Sequence, residues 1–200
     1  MVAVLVTVFV TLLATLSICS PLPEHGIPPP SNLIISGQNA TLGQFPWQVL
    51  LLVKKADING TFMCGGSLLT SRHVLTAAHC TVDLLPSYTV AMVGLVDRKT
   101  AYNTSGVEIR YVESVVQHTG YVPGNGASKD DIAVVMLNED VTLSDNIQLA
   151  KVKKDDAGLL ATGTATVTGF GTYKFVNNTR QNSQFLLYTS VKIIDHDICA

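Results

Sequence analysis

Charge is scarce in this chain. Lys, Arg, Asp and Glu make up 14% of its 200 residues, and the formal net charge is −2. So thin and balanced a set gives no electrostatic footprint for nucleic acid or an acidic membrane surface, and neither is expected as a partner. Apolar residues at sustained helical spacing are also lacking, which argues against a helical architecture. There is no internal repeat at a fixed period, which sets aside solenoids and propellers. Neither a second histidine nor a cysteine pair stands at metal-ligand spacing from His79, and His25, His73, His118 and His196 complete the set. No metal and no cofactor is therefore expected. Finally, no Lys or Arg occurs before Lys54, an absence that matters below.

What is present is a globular composition, 47% hydrophobic. Part of that figure comes from "MVAVLVTVFVTLLATLSICS". Val2 to Ile18 is apolar apart from Thr and Ser, and is short of the roughly 20 residues that a membrane span needs. With small residues at Ser17 and Cys19, residues 1–19 read as a secretory signal peptide cleaved after Cys19. A membrane anchor is the competing reading, since no basic residue precedes the apolar run. The sequons at Asn39, Asn59, Asn103 and Asn177 agree with a secreted, extracellular glycoprotein and are candidate glycosylation sites. Removing Cys19 leaves three cysteines, Cys64, Cys80 and Cys199. Cys64 and Cys80 flank a compact hairpin-like segment and could pair in an oxidising compartment. Cys199 is then left to another chain or to a partner outside these 200 residues.

Residues 20–33 hold "PLPEHGIPPPS", with five prolines in eleven residues, and read as an extended propeptide or linker. Beyond it the pattern is β. Runs at Phe45–Val53, His73–Ala78, Tyr88–Leu95, Val107–His118, Asp131–Leu137, Thr164–Gly171 and Gln184–Ile194 are short and rich in Val, Ile, Thr and Tyr. Gly, Asn, Asp or Pro punctuate them. Many short strands with turn signals predict an all-β sandwich or barrel.

One histidine sits in "LTAAHC". A lone His among apolar residues is ordinarily a structural one. In "CGGSLLTSRHVLTAAHC", however, a Cys64–Cys80 bridge would pin the residue beside His79, and a general base needs such fixing. A base also needs an orienting acceptor. Asp130 and Asp131 both open the run "DIAVVML", and composition alone cannot choose between them.

Together, "IISGQNATLGQFPWQVLL", "CGGSLLTSRHVLTAAHC" and "DIAVVML" resemble the trypsin/chymotrypsin-like serine proteases, over Ile34 to the end. The resemblance implies a double antiparallel β-barrel with the active site between the barrels. About 34–150 would form the first barrel with its linker, and 151–200 the start of the second. It implies His79 as general base, Asp131 rather than Asp130 as its orienting acid, and Cys64–Cys80 as the bridge beside the base. Two departures mark "VTGFG": Phe170 stands where relatives usually have Trp, and Ala165 where many have a bridging Cys.

The family nucleophile is a Ser within G-D-S-G-G, and neither that motif nor G-x-S-x-G occurs in the 200 residues. The same Gly-rich turn supplies the oxyanion hole. The second barrel is thus expected to be incomplete and the isolated chain inactive. The best functional expectation is a secreted serine endopeptidase acting on protein or peptide substrates, open to protein inhibitors. A non-catalytic homologue serving as a binding or regulatory module is the alternative. Relatives are activated by cleavage before an Ile-Val-Gly-Gly-like start, which "IISG" at Ile34 matches. Leu33 replaces the usual basic residue there, so activation is expected to need a protease that accepts Leu.

Overall fold

The computed structural model describes residues 37–124, 128–154 and 163–194. The leader, the proline-rich segment, Ile34 and Cys199 lie outside the described residues.

Six strands close into an antiparallel barrel: β2 (Gln48–Lys54), β3 (Thr61–Leu68), β4 (His73–Thr76), β7 (Ala133–Leu137), β6 (Glu108–Gln117) and β5 (Val90–Val93), in that order round the wall. Closure pairs every edge, so none of the six is left as a template for aggregation. Val49, Leu51, Val53, Val74, Val93, Val112, Val135 and Leu137 fill the interior and are almost wholly buried. Gly66 permits the close approach of β3 to β4, since a Cβ there would come within 2.6 Å of Val74 Cγ1. β6 carries a register shift between Val112 and Ser114. Such a bulge bends a long strand so that one wall can turn a corner.

The remaining described strands form a second group. β8 (Thr164–Gly169) pairs antiparallel with β11 (Leu187–Lys192). The two-residue β1 (Gln38–Asn39) joins the outer side of β11. β9 (Thr172–Val176) and β10 (Thr179–Asn182) make a separate hairpin. Its turn places Asn177 and Asn178 at φ 48° and 61°, the left-handed pair that a two-residue turn requires.

The two groups share a core. β2 is apolar on both faces: its odd-numbered residues face the barrel, while Leu50 packs with Met92, Leu95, Phe170 and Leu186 on the other side. A strand buried on both faces reads as an unbroken apolar run, which is why "QVLLLV" lacks alternation. Gln48 ties the groups with a polar bond: its Oε1 accepts from Thr168 Oγ1 at 2.6 Å. Arg98 adds a second tie, donating through Nε to the Ser183 carbonyl at 2.7 Å.

The run read as strand to Ala78 ends at Thr76, and a four-residue helix, α1 (Ala78–Thr81), follows. One turn of helix is too short to leave a periodic signature in sequence.

Candidate active site

β4 delivers the chain to α1, and α1 carries His79. Several contacts hold this short helix. Thr81 Oγ1 donates to the Ala78 carbonyl at 2.9 Å. Gln117 on β6 donates to Thr81 Oγ1 at 2.8 Å. Lys55 Nζ donates to the His79 carbonyl at 3.1 Å. Cys80, next to the histidine, is bonded to Cys64 on β3, with Cα atoms 6.2 Å apart. A helix of four residues has almost no intrinsic stability, so these side-chain ties and the disulfide fix its position.

Asp131 lies just before β7, and its carboxylate spans the start of α1. Oδ1 accepts the His79 backbone N–H at 2.8 Å, and Oδ2 lies 2.7 Å from His79 Nδ1. Partial burial alone would raise the Asp131 pKa. Hydrogen bonds from the His79 ring and backbone, its charge, and the Ala78 N–H outweigh this, and the carboxyl titrates below its ordinary value. Ionised at neutral pH, it has no hydrogen to give, so Nδ1 is the donor. The other ring nitrogen, Nε2, is then the basic one. Among the described residues Nε2 meets Cys80 Sγ at 3.5 Å and no serine hydroxyl. The His79 side chain is 57% exposed, against 27% for Asp131. The imidazole therefore has one nitrogen held by the acid, and the other beside the Cys80 sulfur on a side chain that is more than half exposed.

Asp130 turns away. Its Oδ2 lies 3.8 Å from His118 Nδ1 and 4.0 Å from Lys129 Nζ. The structure thus brings Asp131, and not Asp130, to His79. Donor atoms of Cys64, His79 and Cys80 cluster within 4.8 Å. Both sulfurs are spent on each other, however, so the cluster offers a metal one imidazole and no thiolate. Of the sequon residues, Asn39, Asn59, Asn103 and Asn177 are all exposed, Asn177 at the hairpin tip. Sequence reasoning passed over Lys55, Gln117 and Thr81, whose contacts with α1 join residues distant in the chain and leave no local signal.

Residues 34–200 match the trypsin family. The chain belongs to that family of serine proteases. It is 32% identical over 145 residues to the fibrinolytic enzyme isozyme C of Lumbricus rubellus, covering 72% of this chain and 58% of that enzyme. It is 31% identical over 194 residues to trypsin alpha-4 of Lucilia cuprina, covering 96% of this chain and 69% of the trypsin. A solved structure of HL collagenase superposes with a TM-score of 0.70 at 28% identity, covering 84% of this chain and 66% of the collagenase. This trypsin-family chain thus spans between about three-fifths and two-thirds of the length of these relatives. The closed β2–β7 barrel fits the trypsin-like fold.

Proposed function

We propose that this chain supplies the His and Asp of a Ser-His-Asp triad in a secreted serine endopeptidase. The two-point hold of Asp131 on His79, at 2.8 and 2.7 Å, carries the reading. With Nδ1 donating to the carboxylate, Nε2 accepts the proton of an attacking serine hydroxyl. It returns that proton to the leaving amine as the acyl-enzyme forms, and Asp131 stabilises the imidazolium in between. Neither G-D-S-G-G nor G-x-S-x-G occurs within these 200 residues, so on this reading they do not themselves supply the serine and the backbone N–H groups of the oxyanion hole. The 200-residue chain alone is accordingly inactive.

The same reading covers the rest of the molecule. Residues 1–19 direct secretion, 20–33 are removed, and Ile34 becomes the amino terminus after cleavage at Leu33. Asn39, Asn59, Asn103 and Asn177 carry glycans, for which their exposure is support. Protein or peptide substrates and protein inhibitors are the partners.

The test is to sequence the transcript beyond the Ala200 codon and to assay its whole product. A G-D-S-G-G codon run, with peptide-ester hydrolysis abolished by His79→Ala, supports the enzyme. A replaced serine instead makes the chain a non-catalytic homologue. Hydrolysis by the 1–200 chain, abolished by His79→Ala, overturns the assigned division of the triad.

A further inference from the structure

Four non-glycine residues have positive φ among those described: Asp83, Asp130, Asn177 and Asn178. The two asparagines form the hairpin turn, and Asp83 lies in a loop whose carbonyl receives the Ala56 N–H at 3.0 Å. Asp130, at φ 51°, directly precedes the acid that holds His79.

The backbone around it explains why. Two clamps pin the segment entering β7 to the segment leaving β6. At one, the His118 N–H donates to the Ile132 carbonyl at 2.9 Å. At the other, Val122 and Lys129 exchange both of their backbone bonds at 3.0 Å. Between the clamps one arm holds three residues, Thr119 to Tyr121, and the other only two, Asp130 and Asp131. Such a mismatch behaves as a bulge, which twists the backbone and re-aims a side chain. Asp130 absorbs the twist in the left-handed region, and the Ile132 N–H closes back on the Asp130 carbonyl at 2.8 Å. That tight ring leaves Asp131 at its apex, turned toward α1. The Asp130 carboxylate sits over Gly120, where an added Cβ would lie 2.5 Å from Oδ2 and 3.2 Å from His118 Nδ1.

We infer that Asp130 is a positioning residue: its left-handed backbone, held between the two clamps, aims the Asp131 carboxylate at His79. This rests on the His79–Asp131 pair of the proposed function, and goes beyond it by naming what sets the pair's geometry. Asn and Gly adopt the left-handed conformation readily, whereas a β-branched residue does not. The side-chain charge is therefore dispensable and the backbone is not.

The test uses the full 200-residue chain and needs no turnover. Proton NMR follows the hydrogen-bonded His79 Nδ1–H, and carbon NMR follows the Asp131 carboxyl through acid pH. Asp130→Gly and Asp130→Asn should keep both signals as in the wild type. Asp130→Val should lose the Nδ1–H resonance and raise the Asp131 midpoint, because burial would then act without its opposing donors. Asp130→Ala, whose Cβ also strains a left-handed backbone, should move both readouts the same way and serves if Asp130→Val does not fold. Either disrupting variant, folded and with both signals unchanged, overturns the positioning role alone. A wild-type chain without the Nδ1–H resonance overturns the His79–Asp131 pair itself.

Discussion

Asp131 holds His79 at two points, its Oδ1 on the backbone N–H and its Oδ2 on ring Nδ1, so one carboxylate fixes both the place and the tautomer of the imidazole. Asp131→Asn would keep the size of the side chain but put an amide where a pure acceptor stood. An amide NH₂ facing Nδ1 drives the ring proton to Nε2, the position from which a base must work. In the whole protease product, kcat should fall by about 10⁴-fold, the cost that the equivalent exchange has in this family. The double variant His79→Ala, Asp131→Asn should be no slower than the slower single one, because residues of a triad act as a unit. Burst-phase and steady-state ester hydrolysis check both statements.

The same contacts make stability depend on acid. The Asp131 carboxyl titrates below its unperturbed 3.8 when folded. Asp97 does so too, mainly through the Gln184 side-chain amide at 2.9 Å, against a partial desolvation. A group whose folded pKa is depressed contributes stability above its unfolded value and loses it as pH falls through the folded one. Urea midpoints of the wild type should therefore decline as pH drops below about 4, where the unfolded chain takes up protons first. Asp131→Asn and Asp97→Asn should each shallow that decline, while the midpoints above pH 6 should be lowered and flat. A decline of unchanged steepness in both variants would sink this assignment.

The Cys64–Cys80 bond closes a separation of 16 residues. Loop-closure entropy for a ring of that size corresponds to about 3 kcal/mol of stability. Cys64→Ser with Cys80→Ser should lower the unfolding free energy by about that amount. It should also broaden the His79 ring signals, because α1 then loses its covalent tie to β3 and rests on the Asp131, Thr81, Gln117 and Lys55 hydrogen bonds. Denaturant unfolding with and without a thiol reductant checks the first expectation on the unsubstituted chain.

How far the sequence speaks for itself differs from element to element. β2, β4, β5, β6, β7, β8 and β11 are visible as short runs rich in Val, Ile, Thr and Tyr, because a half- or fully buried strand favours such side chains wherever it lies. The β9–β10 hairpin escaped, since its turn is Asn177-Asn178 rather than a pair containing Gly and its strands are largely exposed. β3 was blurred by Gly65 and Gly66, which suit the close contact with Val74 but carry no strand propensity. The site was legible through its motif: nothing local separates Asp130 from Asp131, and only the pinned segments around 118–122 and 129–132 do so in space. Lys55, Gln117 and Thr81 could not be found from sequence at all, because their roles exist only once β2, β6 and α1 meet.

Gln48 offers a test of how the barrel and the second group of strands are joined. Its side chain is buried, its Nε2 donates to the Val49 carbonyl, and its Oε1 accepts from Thr168 Oγ1. Thr168→Val keeps the shape but strips Oε1 of its donor. A buried acceptor left without a partner costs about 1–3 kcal/mol, more than the net worth of the bond it made. Gln48→Met in that background removes the orphaned acceptor and should recover part of the loss. The double variant should therefore lose less than the sum of the two single losses, by an amount on the order of 1 kcal/mol. Leu50→Ala, one turn of the pleat away, removes an apolar contact with Phe170 and Leu186 instead, and should cost about 2–5 kcal/mol with no rescue from position 168. Chemical denaturation of the four-member cycle separates the two contributions: additive losses at 48 and 168 would show that the polar tie does not bridge the groups in solution.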